Sequence, residues 1–462
     1  MVFSSSIFLF FFLPLVIAGY YLLKENYRIY FLLLSSLFFY AWGEPKYILI
    51  MLLSIVINYT FGMLIDKSHA NKILAKLLLV LAVAGNLGIL FYFKYLNFTL
   101  KVVNYVFNTG FTLREIIMPI GISFFTFQGM SYVIDLYWRK VNVQKNPAKL
   151  AFYISFFPQL IAGPIVRYID IKEQIEKRTV STEKFAAGAQ RFVIGLAKKV
   201  IIANTVGEVA DIIFALSASE ISAATAWLGV ICYSFQIFFD FSGYSDMAIG
   251  LGKMFGFEFL ENFNYPYISK SITEFWRRWH ISLSSWFRDY VYIPLGGNRK
   301  GNVYVNLFLV FALTGFWHGA NFQFLVWGLW HGFFLIIERL LGMREVKNKK
   351  FIPPRYVVTM LIVVVGWVFF RALRLRYALR YIGVMFGFIR PEFEGFTVWY
   401  FLSPKIIFML CLAAVASTPL LKIAFTSIKR KPVCYGLILA LLFVCIVFVT
   451  ASSYNPFIYF RF

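Results

Sequence analysis

From Gly301 to Ile337 the chain runs for 37 residues without an Asp, Glu, Lys or Arg, yet this stretch holds two histidines, His318 and His331. The hydrocarbon core of a bilayer is about 30 Å thick and takes about 20 helical residues to cross. Other charge-free runs of spanning length are Tyr47–Ile65, Leu77–Phe93, Ile221–Phe239 and Pro432–Phe460. Shorter candidates are Ile29–Trp42, Ile117–Ile134, Leu150–Val166, Tyr356–Phe370 and Ile406–Leu421. The pattern predicts an all-α polytopic membrane protein with roughly ten to twelve membrane helices. Composition agrees: 60% of residues are hydrophobic and 15% charged, against about 45–50% and 25% in soluble domains. These values exclude disorder, a coiled coil and a disulfide scaffold. No long solvent domain, low-complexity tract or solenoid repeat is visible, so residues 1–462 read as one membrane domain.

Lys and Arg total 45 against 22 Asp and Glu, a net charge of +23. On a soluble chain this would suggest nucleic acid; here it first suggests basic loops on the cytoplasmic side, and the expected partner is lipid. Such loops follow Ile7–Leu23 (Lys24, Arg28) and Tyr47–Ile65 (Lys67, Lys72, Lys76), and recur at Gly342–Arg355 (Arg344, Lys347, Lys349, Lys350) and Lys422–Lys431. The run Ile7–Leu23 has its basic residues after it rather than before, which reads as a retained first span with its N-terminus outside. Arg371, Arg374, Arg376 and Arg380 fall on the other side of this pattern and suggest an amphipathic interfacial helix. Cys232, Cys411, Cys434 and Cys445 lie in apolar runs without a C-x-x-C pair, so neither a disulfide framework nor a metal site is expected.

Irregular backbone at membrane depth is tolerated only where protein or water surrounds it. Pro158, Gly163 and Pro164 in FPQLIAGP therefore point either to a re-entrant segment or to a Pro-kinked span. Residues 170–200, dense in both charge signs, read as a cytoplasmic surface helix and linker.

Four places carry polar groups that lipid should forbid. Asp240 and Asp246 bracket Ser242 and Ser245 directly after an apolar run. A carboxylate at the centre of a membrane helix costs about 2.5–3.5 kcal/mol, so the pair either faces a protein or water-filled interior or marks a solvated helix end. Next, Glu274, Arg277, Arg278, His280, Arg288 and Asp289 interleave with Trp276 and Trp279. That mixture suits anchoring at the headgroups, or arginines holding the phosphates of a nucleotide-based donor. Third, His318 sits in TGFWHGAN beside Trp317 and Asn321, with Gly319 and Ala320 leaving room for substrate or a backbone break. An imidazole with an ordinary pKa near 6.5 can take and return a proton near neutral pH. Lastly, His331 between Gly328 and Gly332 reads as helix packing with an interhelical hydrogen bond; His69, in a basic loop, reads as solvated.

The chain has no G-x-S-x-G elbow, H-E-x-x-H, P-loop or dinucleotide fingerprint. With no nucleophile motif, the economical chemistry is direct transfer: one histidine takes the proton of an acceptor hydroxyl that attacks an activated carbonyl. A second polar residue could stabilise the oxyanion, and His280 is a candidate for that or for positioning substrate.

Several long motifs occur together and in order: MVFSSSIFLFFFLPLVIAGYYLL at 1–23, FYAWGEP at 39–45, MPIGISFFTFQGMSYVIDLY at 118–137, DFSGYSDMAIGLG at 240–252, ENFNYPY at 261–267, SITEFWRRWHISLSSWFRDYVYIPLGGNR at 271–299, GFWHGAN at 315–321 and the closing PFIYFRF. The chain thereby resembles the membrane-bound O-acyltransferase family, and within it the bacterial alginate O-acetylation branch. The resemblance implies a ring of membrane helices around a tunnel, with the catalytic core at about 118–341. It implies His318 as the catalytic histidine and His280 as its second family residue. With Arg277, Arg278, Trp317, Asn321, Asp240 and Asp246 as candidate substrate contacts, this gives a membrane O-acyltransferase of the bacterial cytoplasmic membrane. An acetyl group from a cytoplasmic acyl thioester such as acetyl-CoA would pass, without a bound cofactor, to an extracytoplasmic partner of SGNH type that decorates a polysaccharide. The rivals are a D-alanyl transferase of the teichoic-acid type, a permease or flippase of a polysaccharide intermediate, and a scaffold for a polysaccharide synthase; no duplicated broken helices of the transporter kind are found.

Overall fold

The computed structural model describes residues 1–343, 353–391, 395–428, 430–451 and 454–456. Arg344, Lys347, Lys349 and Lys350 of one expected basic loop, Lys429 of another, and the closing residues 457–462 lie outside the described residues. The described residues form helices and turns with no strand among them, as the apolar runs predict. They divide into two compact units that interleave along the chain: Met1–Phe192 with Ser245–Leu260, and Val193–Tyr244 with Glu261–Phe462.

Among the described residues, five helices are long and apolar enough to cross a membrane alone: Ile48–Lys67, Lys72–Phe107, Ala223–Met254, Pro353–Arg371 and Lys431–Ala451. A sixth span is broken, Pro404–Ala416 and Leu420–Thr426 meeting at a 72° bend, and Phe8–Leu22 and Val303–His318 are shorter apolar helices. Several begin where a side chain satisfies the first free backbone N–H groups. Asn71 accepts from the amides of Ile73 and Leu74 (3.2 and 3.0 Å), and Asn302 from those of Tyr304 and Val305.

In the first unit, Asn58 and Asn86 face each other from two spans and exchange amide hydrogen bonds of 3.0 and 3.1 Å, both side chains buried. In lipid such a reciprocal pair acts as glue between helices. The FPQLIAGP segment breaks the chain rather than kinking a span. The helix Pro147–Ser155 ends, Phe157–Leu160 makes one short turn, and helix resumes at Tyr168. Residues 157–166 are all buried, and side chains serve their backbone. The Phe157 amide donates to Ser36 Oγ at 3.1 Å, and Tyr153 donates its hydroxyl to the Val166 carbonyl at 3.1 Å.

Of the two readings of Asp240 and Asp246, the solvated helix end is excluded and the protein interior stands: Ala223–Met254 runs through both. The reading of 170–200 needs correction, since its charges do not all belong to a solvated surface. Lys199 pairs with Asp240 at 2.6 Å, each side chain 2% exposed, in the second unit. Lys199 also donates to the Pro456 carbonyl. Arg191 pairs with Asp246 at 2.8 Å in the first. Glycines set these approaches, since a Cβ on Gly243 would lie 2.7 Å from the Gly195 carbonyl oxygen, and one on Gly250 2.6 Å from that of Gly188. The reason is desolvation: a carboxylate removed from water needs a cation at contact distance.

The arginines that break the charge pattern also find their places. Arg371 donates to Asp211 at 2.7 Å and lies over the rings of Phe214 and Tyr233. Leu375–Met385 is amphipathic as expected, burying Ala378, Tyr381, Val384 and Met385 while Arg376 and Arg380 stay exposed.

Removing one partner of a desolvated ion pair leaves a stranded charge and costs about 3–5 kcal/mol. Lys199→Met should therefore lower the melting temperature in detergent sharply, whereas Lys199→Met combined with Asp240→Leu should recover most of it. A single variant melting like the wild type would contradict the pairing.

Candidate active site

The 37-residue charge-free run folds as two helices, Val303–His318 and Phe322–Leu340. The break falls at Gly319, Ala320 and Asn321. Gly319 is extended, and Asn321 starts the second helix by accepting from the Phe322 amide at 3.1 Å. The two helices touch backbone to backbone: a Cβ on Gly315 would lie 2.3 Å from the Phe324 carbonyl oxygen, and one on Gly328 2.2 Å from that of Phe311. Only hydrogen on both Cα atoms permits this approach. It fixes His318, three residues after Gly315, at the end of its helix.

His318 is 3% exposed. Its ring meets Trp317, Trp327 and Phe370 at centroid distances of 4.9, 5.0 and 5.2 Å. Trp327 also meets His331 at 5.3 Å. His331 is fully buried against Phe275, Trp276 and Trp327. The helix packing expected of it is present, since a Cβ on Gly366 would meet its Nε2 at 2.8 Å. The expected interhelical hydrogen bond is not: no described residue gives either ring nitrogen a partner. The ring packs instead among aromatic side chains, stacked on Phe275 at 6.1 Å and T-shaped to Trp276 at 5.2 Å.

His280 reaches the same neighbourhood from a different local structure. The short helix Ile272–Arg278 starts at Ser271, whose hydroxyl accepts from the Glu274 amide at 3.0 Å. Glu338, on Phe322–Leu340, adds a second cap by accepting from the amides of Ile272 and Thr273 and from the Thr273 hydroxyl. His280 then turns the chain in the left-handed region, φ 43°, before the helix Ile281–Phe287. For a non-glycine residue this conformation costs on the order of 1–3 kcal/mol and tends to mark functional sites.

The His280 side chain is completely buried. Its Nδ1 lies 3.1 Å from Asn262 Oδ1, which also accepts from the Ser282 amide and hydroxyl at 3.2 and 2.8 Å. The Ile281 amide donates to the Asn262 carbonyl at 3.0 Å. Phe241 meets the ring edge-on at 4.6 Å, and His318 lies 6.5 Å away by centroids, too far for the two imidazoles to bond directly. This segment lies outside the spans, and burial pushes the His280 pKa down to about 3, so the ring is neutral at physiological pH.

Of the residues singled out from sequence, the structure brings together His280, His318 and Trp317, whose ring lies 6.3 Å from that of His280. Asn321 caps the adjoining helix and is exposed. Arg278 is turned back on its own helix, pairing with Glu274 at 2.8 Å and donating to the Asn264 carbonyl; Arg277 is exposed. Arg288 likewise pairs with its neighbour Asp289. Asp240 and Asp246 are each matched to a cation. Asn262 was not singled out from sequence. The signal available was its place in ENFNYPY, but the bond that defines its role spans 18 residues and cannot be read from local pattern.

Comparison with known proteins bears on this arrangement. Residues 144–376 match "MBOAT, membrane-bound O-acyltransferase family". A protein of Pseudomonas putida named "Probable alginate O-acetylase AlgI" is 43% identical over the full length of both chains. "Peptidoglycan O-acetyltransferase" of Helicobacter pylori is 38% identical across 84% of this chain and 80% of its own. "Teichoic acid D-alanyltransferase" of Bacillus subtilis is 32% identical over 55% of this chain and 67% of its own.

The Gly315–Gly328 contact can be tested through shape alone. Gly328→Val should force the two helices apart, at the about 1–3 kcal/mol or more typical of overpacking, and reduce activity through the displaced His318. Gly436→Ala, where a Cβ meets nothing within 4 Å, should leave both unchanged. Thermal melting in detergent alongside an activity assay separates the two; equal behaviour would refute the contact.

Proposed function

We infer that this chain, which belongs to the membrane-bound O-acyltransferase family, O-acetylates a polysaccharide from the bacterial cytoplasmic membrane with His318 as general base. That it is a multi-pass membrane acyltransferase follows from the family match and the O-acetyltransferase relatives. The observation that carries the finer reading is the pairing of two buried histidines, 6.5 Å apart, at the break in a charge-free helical run. Ionisable groups placed at such cost inside a membrane protein are functional by default.

In the reaction, His318 takes the proton of an acceptor hydroxyl as its oxygen attacks the thioester carbonyl. The new C–O bond forms, the C–S bond breaks, and the leaving thiolate recovers the proton from His318. The donor is a cytoplasmic acetyl thioester, acetyl-CoA being the simplest. Aromatic walls formed by Trp317, Trp327 and Phe370 exclude water that would hydrolyse it. On the outer side the acetyl group passes to a hydroxyl of the polymer or of an SGNH-type acetyltransferase serving it. Identity over the whole chain to alginate O-acetylases favours acetyl over D-alanyl as the group moved, and a polymer of the alginate kind as acceptor. The D-alanyl transferase relative covers only about half of the chain.

The test compares ester-linked acetate on the exported polymer in cells carrying wild type or His318→Ala at matched membrane levels. Loss of a general base costs about 10²–10⁴-fold, so acetate should fall to background while polymer export continues. Undiminished acetylation would overturn the assignment. Failure of export would favour a flippase, and ester-linked D-alanine in place of acetate would favour the teichoic-acid type.

A further inference from the structure

We propose that Asn262 is a positioning residue that holds His280 in the tautomer protonated at Nδ1, so that His280 meets the acceptor hydroxyl as a hydrogen-bond acceptor through Nε2. This rests on the reading of His280 as part of an acyl-transfer site, and adds the direction of its hydrogen bonds.

The assignment follows from a donor that has no choice. The Ser282 backbone N–H points at Asn262 Oδ1 from 3.2 Å, and a peptide N–H can only donate. Rotating the Asn262 amide by half a turn would set its NH2 against that N–H, donor against donor, so the atom there is the oxygen. His280 Nδ1 lies 3.1 Å from the same oxygen and must bring the hydrogen. The Ser282 hydroxyl adds a third donor at 2.8 Å. A neutral imidazole carries one N–H and one lone pair, so with Nδ1 protonated the lone pair lies on Nε2. The left-handed turn at His280 and the Ile281–Asn262 backbone bond hold the ring in this register.

The consequence is chemical. Stabilising an oxyanion requires a donor, and the one N–H of His280 is spent on Asn262. What remains is an acceptor suited to orienting a hydroxyl, a sugar or serine alcohol, for proton transfer to His318. The 6.5 Å between the ring centroids leaves that hydroxyl as the group that bridges them. His280 is thus an orienting partner of the nucleophile rather than part of an oxyanion hole.

The tautomer can be read without any assay of activity. The full-length protein, labelled with ¹⁵N-histidine and held in nanodiscs, contains four histidines; His280→Gln identifies the resonances of His280 by their loss. The proposal expects a protonated Nδ1 and a bare, imine-type Nε2 in the wild type. Asn262→Asp, which keeps the acceptor oxygen, should retain this pattern, and Asn262→Leu should mix or invert it. In transfer assays Asn262→Leu should lower kcat more than it raises KM, and Asn262→Asp should restore part of the loss. A wild-type His280 protonated at Nε2, or an unchanged tautomer in Asn262→Leu, would overturn the proposal. So would an inverted tautomer with undiminished transfer in Asn262→Leu, while leaving the acyltransferase reading intact. Full transfer by His318→Ala would instead bring down that reading, whatever the tautomer.

Discussion

The second unit depends on one close contact, Gly315 against Gly328, where two helices cut from a single charge-free run meet through their backbones. The helix Phe322–Leu340 carries nearly everything that places the histidines. Gly328 admits the neighbouring helix that ends in His318, and Trp327 walls the His318 ring. Glu338, about three turns further on, caps the short helix that leads into His280. A Cβ at the crossing would act on all three. Because packed interiors do not deform continuously, a methyl group there should be felt at His318, three residues along the helix from Gly315.

A second constraint runs alongside it: in lipid, polar groups must bring their partners. The molecule meets this in three ways. Asn58 and Asn86 satisfy each other. The buried break after Ser155 is served by Ser36 and Tyr153. The carboxylates of Ala223–Met254 are matched by cations. His331 is handled differently, enclosed by aromatic faces.

These cases also explain what was legible in the sequence. Hydropathy marked spans such as Ile48–Lys67, Ala223–Met254 and Lys431–Ala451, because lipid imposes a length and a composition on each run separately, but it did not separate them from shorter runs such as Leu150–Val166 that fold as buried breaks. Gly319 and Ala320 left room for the helix break that the structure shows, because chain conformation is local there. The amphipathic helix Leu375–Met385 was visible in the spacing of Arg376 and Arg380. The role of Lys199 and Arg191 was not, because a lysine among other charges looks solvated until its distant carboxylate is known. Whether Asp240 and Asp246 faced an interior or marked a helix end stayed open for the same reason. Asn262 was hidden within its motif, since an asparagine that orients a histidine differs from one that caps a turn only in three dimensions. Of the candidate site, His318, His280 and Trp317 were singled out from their chemistry and their motifs and lie together in the structure, whereas the residues packed around them were not legible.

The central claim is that His318 moves an acetyl group from a thioester on one side of the membrane to a hydroxyl on the other. Reconstituting the protein with its extracytoplasmic partner in sealed vesicles tests it most directly, with radiolabelled acetyl-CoA outside and the acceptor polymer inside. The account predicts ester-linked label on the enclosed polymer while the coenzyme stays outside, and its loss with His318→Gln. Label reaching the polymer at the wild-type rate with His318→Gln would contradict it.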